Sequence, residues 1–205
     1  MLRATKKNRE TKLLKIASDQ AGYFTAKQAL KAGYNYRLQS YHKTQGHWQA
    51  VDRAVFRLSA YPNTPHEDLV RWSLWSRNRQ DFPQAVVSHE TALSIHEISD
   101  IMPGKIHLTV PPKFRKQMAP GCVLHRGSLK DDEIQKHQGF SVTTPLKTIM
   151  DVAQGNLSLD HLESAIRDAF DRGLVRPIHL QQARMARVAA KKIHIVLDNI
   201  KKHPF

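Results

Sequence analysis

The chain has 205 residues, 40% hydrophobic and 24% charged, with 9 Gly and 10 Pro. This is the composition of a folded protein of one large or two small domains, and it excludes wholesale disorder and fibrous repeats. Lys and Arg number 32 against 18 Asp and Glu, for a formal net charge of +14 and a pI near 10.1, a field that favours polyanions and nucleic acid first among them. The single cysteine, Cys122, excludes an intramolecular disulfide framework and a cysteine-clustered zinc site. No apolar run approaches the roughly 18 residues of a membrane helix, and the opening MLRATKKNRE has no apolar core of a secretory signal. The expected setting is therefore the cytoplasm, with no membrane partner.

The charge is unevenly placed. Residues 1–62 hold 12 Lys/Arg against 3 Asp/Glu, residues 63–175 hold 13 against 14, and residues 176–205 hold 7 against 1. That pattern predicts a nucleic-acid-binding head, a neutral body and a basic tail. Two prolines within Tyr61-Pro62-Asn63-Thr64-Pro65 break any regular element there, so domains are expected over 1–62 and 63–205, with the tail at 176–205.

In the head, residues 4–20 read as a helix with a narrow stripe of Leu13, Leu14, Ile16 and Ala17. Thr25-Ala26-Lys27-Gln28 is a capping box for a second helix that ends at Gly33. Asn35 caps a third helix over about 36–45, with Leu38 and Tyr41 inward. Helix, tight glycine turn and helix is the arrangement that lays its second helix in the major groove. Asn35 opens that helix, and Tyr36, Arg37, Gln39, Ser40 and Lys43 are expected on its outer face, residue types that reach base edges and phosphate oxygens. Residues 47–51 and 54–59 alternate as a hairpin. Phe56 and Leu58 are expected inward and Arg57 outward, with Arg53 at the tip. A hairpin directly after such a helix is a wing, and Arg53 and Arg57 are its expected phosphate contacts.

The body predicts helices over His66–Arg79, from Ser88, over Leu146–Ala153 and over Leu159–Phe170. Strands are expected at Ile106–Val110, Val123–His125 and Phe140–Val142. Strands and helices mix without strict alternation, so the fold class expected is α+β. The stretch 178–202 reads as a basic helix or helix pair whose Arg184, Arg187, Lys191 and Lys192 are further candidates for DNA contact.

Little in the body points to catalysis. His89-Glu90 begins like a zincin motif, but the next histidine is His96, two helical turns or about 10 Å on, too far for one ion. The only Glu-x-Lys is Glu10-Thr11-Lys12 in the first helix, so the strand-borne carboxylate set of a restriction-type nuclease is missing. No phosphate-binding glycine loop and no nucleophile elbow occur. No enzyme activity, metal or cofactor is expected; a DNA-binding nuclease with the same head is the alternative.

The order TAKQALKAGYNYRLQSYHKTQGHWQAVDRAVFRL, then VVSHETALSIHEIS, then FSVTTPLKTIMDVA resembles the AbiEi family of type IV toxin–antitoxin systems over residues 25–175. The carrying segments are the wing Asp52–Leu58, the S-H-x-x-A-L-x-x-H run from Ser88 to His96, and T-x-P-x-K-T from Thr143 to Thr148. Ala54 stands where the family's wing usually has glycine, and Phe56 where it usually has tyrosine. The resemblance implies a winged helix-turn-helix autorepressor that binds inverted repeats upstream of its operon. It also implies an antitoxin body that neutralises a cognate AbiEii-like nucleotidyltransferase toxin, with the nucleotide and metal chemistry belonging to the toxin.

Overall fold

The computed structural model describes residues 2–117 and 120–202, the side chains of residues 2–5 excepted. The chain forms two compact units, the first running to Ala85 and taking in Lys136–Ser141, the second made of Val86–Gln135 and the residues from Val142 onward. Both mix helix and sheet, as an α+β chain does.

The first unit begins with α1 (Leu2–Ser18), followed by β1 (Tyr23–Thr25), α2 (Ala26–Lys31), α3 (Tyr36–Thr44), β2 (Trp48–Asp52), β3 (Val55–Leu58) and α4 (Glu67–Trp75). Its sheet is antiparallel in the order β1-β3-β2. Strand β1 is only three residues long, too short for alternation to announce it, and it is held by pairing with β3 in the register Phe24 to Phe56. Phe24 and Phe56 face a core with Leu13, Ala17, Ala29, Tyr34 and Trp48, where the Phe24 and Trp48 rings meet edge-on at 4.8 Å. Leu14, expected in the buried stripe of α1, is instead 52% exposed.

The unit extends beyond the Pro62–Pro65 segment because α4 buries Leu69, Val70, Trp72 and Leu74. Tyr23 and Arg57, paired across β1 and β3, lie on the sheet face opposite Phe24 and Phe56. On that face Arg57 meets Glu67 of α4 at 3.2 Å.

The second unit is built on a five-stranded sheet, order β6-β5-β4-β8-β7, from β4 (Val86–Val87), β5 (Ile106–Val110), β6 (Cys122–Arg126), β7 (Ile134–Lys136) and β8 (Ser141–Thr143). It is mixed: β4 runs antiparallel to β5 and parallel to β8, while β5 and β6 are parallel. Helices α5 (His89–Ile95), α6 (Pro145–Gln154), α7 (Leu159–Asp171), α8 (Pro177–Gln182) and α9 (Arg187–Lys202) complete it. Leu93, Ile149, Leu162, Ile166, Ile193 and Val196 share one core, each full burial being worth about 1.5–3 kcal/mol. The basic tail is thus a packed element: α9 inserts Ala189, Ile193, Val196 and Leu197, while Arg187, Lys191, Lys201 and Lys202 stay exposed. Asp131–Glu133 form a single 3-10 turn before β7. Among the described residues no helix is long and apolar enough to cross a membrane.

Candidate nucleic-acid interface and a histidine cleft

The α2–α3 pair follows its local hydrogen-bond grammar closely. Thr25 accepts from the Gln28 amide while the Gln28 side chain accepts from the Thr25 amide at 2.8 Å, a reciprocal capping box. Gly33 adopts φ +98°, and a Cβ there would sit 2.9 Å from Cγ of Arg9, so glycine serves both the turn and the seating of α1. Asn35 accepts from the Leu38 amide at 2.9 Å, which spends its carboxamide oxygen on the cap rather than on a partner. The cap fixes the backbone from which α3 presents its side chains.

From α3, Tyr36 (71% exposed), Arg37, Ser40 and Lys43 face solvent. Tyr41, expected inward, is 53% exposed. Gln39 does not belong to the outer face. It is 3% exposed, and its amide nitrogen donates to the carbonyls of Tyr34 (2.9 Å) and Ala26 (3.2 Å). It ties the α2–α3 turn together, where those buried carbonyls need donors.

The hairpin separates its two arginines. Arg53 is exposed at the tip, followed by Ala54 at φ +59°. Arg57 is 7% exposed and corrects the outward placement expected of it. Its Nη2 donates to the Pro62 carbonyl (3.2 Å), to Asn63 Oδ1 (2.8 Å) and to Glu67 (3.2 Å), and its guanidinium lies 5.7 Å from the Tyr23 ring centroid. Alternation along β3 did place Phe56 inward, but the opposite face is covered by α4 rather than open to water.

The tail candidates also divide. Arg184, Arg187 and Lys191 are exposed. Lys192 is half-buried, its Nζ donating to the carbonyls of Gly155 (2.8 Å) and Leu157 (3.2 Å). It closes the C-terminal end of α6 and is not available as a phosphate contact. Of the twelve candidates, Asn35, Gln39, Arg57 and Lys192 are committed to the fold. Arg37 and Arg53, at separate points of the first unit, have no side-chain partner among the described residues.

The second unit holds a polar cleft of about 720 Å³ that sequence spacing did not reveal. His89 stacks on His125 with centroids 3.5 Å apart. His125 Nε2 lies 3.1 Å from His107 Nδ1, which in turn is 2.8 Å from Glu90 Oε2. Burial, and then the neighbouring His125, push the His89 imidazole down to about 3, while the His107 ring holds the Glu90 carboxyl at about 2. His125 is also lowered, by burial first. Lys147 pairs with Asp151 on one face of α6, and burial raises that aspartate. His96 lies elsewhere, buried, with Nε2 donating to the Thr143 carbonyl at 2.7 Å. Among the described residues no three His, Cys, Asp or Glu side chains are arranged to hold a metal ion. The signal available in the sequence was the 18-residue interval that recurs from His89 to His107 to His125, but only the β5–β6 register brings His107 and His125 together, and His89 joins them from the start of α5.

No protein-family model matches the sequence, and no curated protein is found as a relative. Among solved structures, the crystal structure of RV2827C protein from Mycobacterium tuberculosis is similar, with a TM-score of 0.56 at 15% identity over 93% of this chain and 76% of that one. At that identity the likeness is one of fold.

Proposed function

We propose that the chain is a DNA-binding transcriptional regulator whose first unit is a winged helix-turn-helix. In this reading α3 lies in the major groove and the β2–β3 hairpin is the wing. The observation that carries it is the doubly capped α2–α3 pair, which holds Tyr36, Arg37, Ser40 and Lys43 outward on a fixed helix. Arg53, exposed at the hairpin tip, contacts phosphate. The excess of 12 Lys/Arg over 3 Asp/Glu in residues 1–62 supplies the non-specific affinity on which base reading is superimposed.

The test is a binding titration of the duplex upstream of the chain's own operon against a shuffled duplex. A specific regulator prefers its site by about 10³ or more. Arg37→Ala is expected to lose about 1–3 kcal/mol of discrimination at one or two base pairs. An equal loss on both duplexes removes base reading from Arg37.

The likeness of Ser88–His96 and Thr143–Thr148 to the AbiEi family supports a second part of the proposal. The chain represses its own operon at inverted repeats and, as an antitoxin, neutralises a nucleotidyltransferase-type toxin, without catalysis of its own. Co-expression with the adjacent reading frame tests it. Growth rescued by residues 86–205 alone assigns neutralisation to the second unit, and no rescue by the full chain discards the antitoxin role.

A further inference from the structure

The first unit contains a second feature that DNA contact does not use. A cleft of about 710 Å³ opens between α1, the inner edge of α3 and β2, within the size range of sites that take small organic ligands. Its walls are aromatic. Tyr34 meets Trp48 edge-on at 5.1 Å, and His42 stacks on Trp48 at 4.9 Å with 14° between the planes. Tyr41, half-exposed, lies over His42 at 5.4 Å. Leu14 is exposed at the same cleft, although an apolar residue at that helical position ordinarily packs.

The charge in the cleft is unbalanced. Lys6, Lys7 and Arg9 line it against the single carboxylate of Glu10, which pairs with Lys6 at 3.8 Å. Arg9 is set in place: its stem occupies the space left by the missing Cβ of Gly33, and its guanidinium stands 5.8 Å from the Tyr34 ring centroid. Its side chain is partly buried, and its Nε has no hydrogen-bond partner among the described residues. A buried guanidinium donor left unmatched is a costly feature, and a planar carboxylate matches the fork of that group best.

We propose that this cleft is a binding site for a planar aromatic carboxylate. The ring system packs against the exposed faces of Tyr41 and Leu14, beside His42, with the edges of Tyr34 and Trp48 beneath, and the carboxylate pairs with Arg9. The site stands whether or not α3 reads DNA, because its test requires none.

The probe is 2-naphthoate, titrated into the full chain by calorimetry, with 2-naphthylmethanol as the neutral counterpart. The expected result is saturable one-to-one binding of the acid, at least about tenfold tighter than the alcohol, as an Arg–carboxylate pair supplies. Arg9→Gln is expected to abolish that preference while leaving alcohol binding unchanged. Lys12→Gln, on the exposed side of α1, is expected to change neither, and circular dichroism confirms that both variants are folded. Absence of saturable binding at millimolar probe overturns the proposal. So does equal affinity for acid and alcohol, which reduces the cleft to an apolar surface, and so does an acid preference that survives Arg9→Gln. Probe binding that weakens as protein concentration rises, with dimer formation in sedimentation, assigns the cleft to a second copy of the chain and also overturns it.

Discussion

Two places in the molecule gather polar side chains and use them in opposite ways. On the first unit, Arg37 and Arg53 extend into solvent and pair with nothing among the described residues. In the cleft of the second unit, His89, Glu90, His107, His125, Lys147 and Asp151 contact one another. The first arrangement leaves charge available to a polyanion. The second turns its members towards one another and makes the fold depend on their protonation. Net charge and histidine count therefore do not locate an interface; what matters is whether each group already has a partner.

The sharpest way to separate the two is acid, and it carries the largest expected effect. His89 titrates at about 3 in the folded chain against an ordinary value of 6.5, and Glu90 at about 2 against 4.5. A histidine that is harder to protonate when folded makes the unfolded chain the better proton acceptor below pH 6.5. Stability is then lost as pH falls from 6.5 towards 3, at up to about 1.4 kcal/mol for each pH unit. Glu90 acts in the same sense from 4.5 downward, because its ionised form is the one held in the fold. The groups facing His89 are His125 and His107 from the sheet, Glu90 on its own helix and Lys147 from α6. Urea unfolding between pH 7 and 4 is expected to show the slope, and His89→Gln to flatten it. A slope unchanged in that variant means that the cleft is not its source.

The next comparison lies within one hairpin. Arg57→Ala strands Glu67, which is partly exposed, and leaves the Pro62 carbonyl without its donor. Breaking a fully buried pair costs about 3–5 kcal/mol, so the lower end is expected in denaturant unfolding. Arg53→Ala is expected to change stability by less than about 0.5 kcal/mol and to lower the slope of log affinity against log salt by about one unit. If the two variants exchange these outcomes, the division of the hairpin into tip and base is wrong.

The features legible in the sequence are those whose chemistry is local. Thr25 with Gln28, Gly33 and Asn35 are read from a few residues because each satisfies backbone groups within a few residues. The apolar spacing of α7 and the alternation of β5 likewise needed no context. Gln39, Arg57 and Lys192 were misplaced because their partners are brought by other elements: the turn carbonyls of Ala26 and Tyr34, helix α4, and the end of α6. A glutamine that reads adenine and one that ties a turn are the same residue on the same helix. The histidine cleft was invisible for a related reason. Along its own helix His89 has only His96 at a helical spacing, whereas its neighbours His107 and His125 come from parallel strands whose register no local pattern specifies.

The smallest expected effect is also the most local. Ala54 holds φ +59° at the tip of the hairpin, a left-handed conformation that costs an L-residue about 1–2 kcal/mol. The position cannot relax, because the Ala54 carbonyl accepts from the Ala26 amide at 2.9 Å and the neighbouring Val55 is fixed in register with Thr25. Glycine removes that strain but returns some of the gain through a freer unfolded chain. The Ala54 side chain is exposed, so no packing is lost. Ala54→Gly should therefore raise stability by about 0.5–1 kcal/mol, or about 1–4 °C in melting temperature at this chain length. DNA affinity should be unchanged, because the backbone at the tip already has the shape that glycine prefers. A loss of stability would mean that the loop is held by the alanine methyl, and a gain accompanied by weaker DNA binding would mean that the stiffness of the tip, rather than its geometry, positions Arg53.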